Sequence, residues 1–92
     1  MNIDKWNYMN YSSDNYGSHS QALEIGSLTI WFSYDTVVAF SEPGNMACSE
    51  NIWGTTTGKH LNAIEPDHNK RLKRDEFEKQ LEKCLKRHKL SV

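Results

Sequence analysis

Hydrophobic and polar positions alternate most clearly in the stretch Leu28-Thr29-Ile30-Trp31-Phe32-Ser33-Tyr34-Asp35-Thr36-Val37-Val38-Ala39-Phe40. Leu28, Ile30, Phe32 and Tyr34 fall on one face of an extended chain, and Thr29, Trp31 and Ser33 on the other. These β-branched and aromatic side chains suit a pleated surface, so the pattern predicts two strands and the turn between them. Gln21 to Ile25 reads as a preceding strand, joined through Gly26-Ser27, a pair suited to a two-residue II′ turn. Such a turn sets Ile25 opposite Leu28, Leu23 opposite Ile30, Glu24 opposite Thr29 and Ala22 opposite Trp31, so the apolar sets coincide. The Tyr34-Asp35-Thr36 turn contains no glycine, and both a tight turn and a longer loop fit it, which leaves the faces of Val37 and Val38 open. Glu42-Pro43-Gly44-Asn45 is a turn signal that leads to a fourth strand, Met46 to Ile52.

Outside this block the periodicity changes. Residues 1–20 are rich in Asn, Ser, Tyr and Gly, with Trp6, Tyr8, Met9, Tyr11 and Tyr16 irregularly spaced, and read as an arm, with the Tyr11 to His19 part packed over the sheet. Residues 53–72 show no helical or alternating pattern and read as an ordered loop, punctuated by Glu65-Pro66-Asp67. Residues 73–90 carry Phe77, Leu81, Cys84, Leu85 and His88 on one stripe, which predicts an amphipathic helix from Arg74 to about Lys89. Lys73 stands where a capping hydroxyl belongs, so that end is expected to fray. The expectation is one α+β domain: an antiparallel four-stranded meander over residues 21–52 with one C-terminal helix packed on it.

A chain of 92 residues supports one modest core. Ten aromatic residues raise the area that a 37% hydrophobic composition can bury. No stretch has the apolar length of a membrane span and the first residues lack a signal pattern, so a cytoplasmic protein without membrane contact is expected. Two cysteines, Cys48 and Cys84, read as free thiols. Five acids against one base give −4 through Met46, and ten bases against seven acids give +3 from Ala47. That asymmetry allows a weak contact with an anionic partner but falls short of a dedicated nucleic-acid binder.

The candidate chemistry is sparse. Gly54-Thr55-Thr56-Thr57-Gly58-Lys59-His60 departs from a phosphate-binding loop, with three residues between the glycines rather than four and His after Lys. It reads better as a loop presenting Lys59, His60 and hydroxyls to a partner. No pair among the histidines and cysteines shows Cys-x-x-Cys or His-x₃-His spacing, so no metal site and no cofactor are expected, and the histidines read as scattered surface residues. No nucleophile, base and acid converge in the spacing, so the chain is read as a non-enzyme. Two basic clusters, Lys70 to Arg74 and Lys83 to Lys89, are diluted by acids and read as solvated helix ends; stacking of the arm rings, Trp31 and Trp53 on unpaired bases is the competing use.

Three segments resemble a small family of uncharacterised domains in bacteriophage and mobile-element proteins: Asn10 to His19, Trp31 to Phe40, and Asn51 to Asn62. The resemblance spans most of the chain, including the helix with Phe77. It implies a setting and no mechanism: a small accessory protein that binds a host or bacterial defence protein. Joined to the residue reading, it makes Tyr16, His19, Trp53, Thr55, Thr56, Thr57, Lys59, His60 and Asn62 the expected partner-binding set. A weak single-stranded nucleic-acid binder is the alternative.

Overall fold

The computed structural model describes residues 3–9 and 19–90. Five strands form one antiparallel sheet in sequence order: β1 (Ile3–Asn7), β2 (Gln21–Ile25), β3 (Leu28–Ser33), β4 (Thr36–Glu42) and β5 (Asn45–Cys48). Helix α1 (Thr55–Ile64), a 3₁₀ turn (His68–Lys70) and helix α2 (Arg74–Arg87) follow.

The β2–β3 pairing follows the expected register, Ala22↔Trp31 through Ile25↔Leu28. Gly26 takes the positive φ of 60° that the first place of a II′ turn requires. The β3–β4 turn is tight, with Ser33 opposite Thr36, and a bulge decides the open question about Val37 and Val38. Trp31 pairs with Ala39 and Phe32 with Val37, so Val38 is the extra residue on β4. The alternation resets there. Val37 packs beside Phe40 on one face, while Val38 is buried with Ala39 on the other.

Both faces of the sheet are therefore covered. Leu28, Ile30, Phe40 and Ala47 pack against Phe77, Cys84 and Leu85 of α2, with the Phe40 and Phe77 rings 5.8 Å apart. The opposite face, with Val38, Ala39 and Cys48 buried, packs against Leu61 of α1. The C-terminal helix lies on the sheet as its stripe predicts, and the rest of the expected architecture is corrected in three places.

The sheet has five strands, not four, because part of the expected arm pairs with β2 from Ile3↔Ile25 to Asn7↔Gln21. All five β1 residues are exposed, so this edge strand forms by backbone pairing and leaves no hydrophobic alternation to read. The fourth strand of the meander ends at Cys48 rather than Ile52, because Ser49 instead bridges Leu72 in parallel.

Residues 53–72 contain α1 rather than a continuous loop. Its buried positions, Thr57, His60 and Leu61 with half-buried Ile64, do have helical spacing, but two of the four are polar. The helix stops where Pro66 forces Glu65 into extended backbone, φ −143° and ψ 95°. Gly58 is a helical residue here, and a Cβ on it would sit 3.0 Å from Asn51 Nδ2.

The poor cap at Lys73 is compensated from outside. Glu50 Oε2 accepts the Arg74 amide at 2.8 Å and so supplies the acceptor that Lys73 lacks. At the other end, the Leu90 amide donates to Leu85 O at 2.8 Å and Lys89 to Lys86 O at 3.0 Å, a Schellman closure with Lys89 in the left-handed region. Glu42 ties that end to β4 through Arg87 and His88. Hydrogen bonds from Arg87, then Asn45, hold its carboxyl down to about 2.

Candidate functional site

One group of polar and aromatic residues collects at the sheet end formed by the β3–β4 turn. Helix α1 is held there by polar groups as well as by Leu61. Ser33 Oγ lies 2.7 Å from His60 Nδ1 and 2.9 Å from Thr57 Oγ1, and all three residues are buried. The hydroxyl is thus shared between two turns of one helix, which satisfies groups that would be costly to bury alone. Tyr8 closes the network from the β1 side. Its hydroxyl donates to Phe32 O at 2.7 Å, its ring meets His60 edge-on at 6.0 Å, and burial pushes its phenol well above the ordinary value. Burial likewise pushes the Cys48 thiol up to about 11, which makes it an inert core residue.

Above this network the turn projects Tyr34. Its φ of 56° is one that bulky side chains rarely adopt. The ring stacks on His19 at 4.3 Å and 21°, and the Tyr34 amide donates to His19 O at 2.9 Å. Tyr34 nevertheless remains 46% exposed, and Trp53, just before α1, 39% exposed. The two line one cleft of about 140 Å³ whose other walls are Ser33, Thr36, Val38 and Thr57. Trp53 is fixed from both sides: its amide donates to Asn51 Oδ1 at 2.9 Å, and the Arg74 guanidinium lies 5.0 Å from its ring centre.

The expected partner-binding set divides. Trp53, Thr55, Lys59 and Asn62 are exposed and Thr56 is half-buried, so they can meet a partner; His19 is exposed beside Tyr34. His60 is fully buried and removed from the contact surface, and Thr57, bonded with it to Ser33, reaches a partner only as part of the cleft lining. Asn62 accepts a hydrogen bond from Arg71 at 2.9 Å. Tyr16 lies outside the described residues. Tyr34 is absent from the expected set, although the sequence places it both on the face of Leu28, Ile30 and Phe32 and in the Tyr34-Asp35-Thr36 turn. The signal was present: a glycine-free two-residue turn must place some ordinary residue at positive φ.

A polar recess of about 360 Å³ lies on the other side of α1, lined by Glu50, Asn51, Gly58, Asn62, His68 and Arg71. Its one guanidinium is engaged, since Arg71 also donates to Glu65 O at 2.8 and 3.0 Å.

Among the described residues no helix is long and apolar enough to cross a membrane. Residues 2–79 match the family model described as a family of unknown function, DUF8033. No curated protein and no solved structure matches the chain.

Proposed function

We propose that this chain, which belongs to the DUF8033 family, is a non-catalytic binding protein that engages a protein partner through the Tyr34–Trp53 cleft and the outer face of α1. The observation that carries the reading is the pair of half-exposed aromatic rings flanking a hydroxyl-lined cleft, one of them held outward by strained backbone. Strain of this kind persists where the surrounding structure over-determines it, and rigid aromatic anchors beside small polar groups are what binding hot spots use. Thr55, Lys59 and Asn62 extend the surface along the helix. The setting proposed is that of a phage-type accessory protein in a host cytoplasm, with a host or defence-system protein as its partner.

The chemistry at Ser33 supports the same reading. A serine hydroxyl 2.7 Å from an imidazole has the distance of an activated nucleophile, but this oxygen is buried and also bonded to Thr57, which suits a fastener better than a reacting group. The basic clusters favour a protein partner over nucleic acid, because their arginines are committed within the chain: Arg71 to Glu65 and Asn62, Arg74 to Glu78 and Val37 O, Arg87 to Glu42.

The test compares capture from host lysate by the wild-type chain and by folded Tyr34→Asn and Trp53→Ala variants. A stoichiometric protein held by the wild type and lost from both variants is the expected result; equal capture by all three overturns the surface. Titration with labelled oligonucleotides at two salt concentrations decides against the protein reading if tight binding appears and weakens steeply with salt.

A further inference from the structure

At the far end of β4 a second cluster forms that the contact surface does not use. Glu42 closes the strand, and Cys84 and His88 stand four residues apart at the end of α2, the interval that puts two side chains on one helix face. Packing of α2 on the sheet brings the three together. A carboxylate oxygen, the Cys84 sulfur and a ring nitrogen of His88 all lie within 4.8 Å of one another, and His88 Nε2 is 2.9 Å from Glu42 Oε1.

We propose that Glu42, Cys84 and His88 form a binding site for one divalent cation of borderline softness, with zinc as the type, three protein ligands and water in the fourth position. A thiolate, an imidazole and a carboxylate are the donors that tetrahedral zinc takes, whereas magnesium and calcium gain nothing from sulfur. In tetrahedral coordination the ligand atoms stand roughly 3.5 Å apart, against at most 4.8 Å between these three, so an adjustment of about 1 Å brings them to a common ion. Cys84 is buried and the Glu42 side chain 9% exposed. His88, 23% exposed, marks the wet side where water completes the shell. Arg87 now pairs with Glu42 from the rim with its own side chain 51% exposed, and it swings into solvent when the metal takes over the carboxylate.

The exchange is a ligand substitution with no electron transfer. Metal–oxygen, metal–nitrogen and metal–sulfur bonds form, the Cys84 thiol proton passes to solvent, His88 binds through the lone pair of its neutral ring, and the Arg87–Glu42 contact breaks. The ion then joins the end of α2 to the end of β4, so its binding free energy adds to folding. Six residue steps of β4 separate Thr36 at the cleft from Glu42, about 20 Å at the rise of a strand, and the two sites share no residue.

Cobalt is the probe, titrated into the full chain in chelator-free buffer with a non-thiol reductant. The expected result is one cobalt per chain with a thiolate-to-cobalt charge-transfer band, displaced by one equivalent of zinc and retained in Cys48→Ala. Cobalt binding without that band, or a band lost in Cys48→Ala, overturns the site, as does no binding at all, which leaves Glu42 and His88 a hydrogen-bonded clamp. Because Cys84 is a core position, the second variant is His88→Ala: at least a tenfold loss of cobalt affinity with an unchanged circular dichroism spectrum is expected, and unaltered affinity contradicts the proposal.

Discussion

Tyr34 and Lys89 both hold left-handed backbone, at φ 56° and 60°, a conformation that costs an ordinary residue about 1 kcal/mol or more. At Lys89 the strain closes a helix, and any residue content with positive φ can do the same. Lys89→Gly should therefore raise the stability of the chain by about 1 kcal/mol, read as a higher urea midpoint with an unchanged slope. At Tyr34 the strain presents a ring. Tyr34→Asn relieves the backbone and gives up the His19 stack, two effects of similar size and opposite sign. Its stability should stay within about 1 kcal/mol of wild type in the same measurement, so any loss of binding in that variant belongs to the missing ring. Neither position was legible from the alternation of side chains, because both are set by how the chain turns.

Among the elements, β2, β3 and α2 were plain in the sequence because each carries an apolar repeat of the right period. The register Leu23↔Ile30 follows directly from a two-residue turn. Helix α1 was hidden for a physical reason: it docks through Thr57 and His60 as much as through Leu61, and polar residues paired to Ser33 have no hydrophobic signature. The bulge at Val38 was equally silent, since Val37 and Val38 are alike and only the pairing assigns their faces. In the same way, Cys84 and His88 have a helical ligand interval of four, but their third member, Glu42, comes from a strand. The polar docking of α1 makes a prediction of its own. Ser33→Ala removes one buried hydrogen bond from Thr57 and one from His60 and should cost about 1–3 kcal/mol. Native-state hydrogen exchange should then show α1 amides opening faster while those of α2 keep their protection; equal acceleration in both helices would place the network elsewhere in the folding unit.

Among the described residues, a thin sheet carries one helix on each face. Covering both faces buries two groups that would rather be neutral, the Tyr8 phenol and the Cys48 thiol, and burial raises both. A group whose proton is held more tightly in the folded state stabilises it below the unfolded value and loses that contribution as pH rises. For Cys48 the window runs from 9.0 to about 11. The urea midpoint should therefore fall steadily above pH 9, and less steeply in Cys48→Ala. Hydrogen exchange of the chain with and without its captured partner tests the proposed contact surface most directly. Slowed exchange at Tyr34 to Thr36 and Trp53 to Lys59 with α2 unaffected is the expected result; protection confined to α2 or to the exposed edge at β1 would rule this surface out.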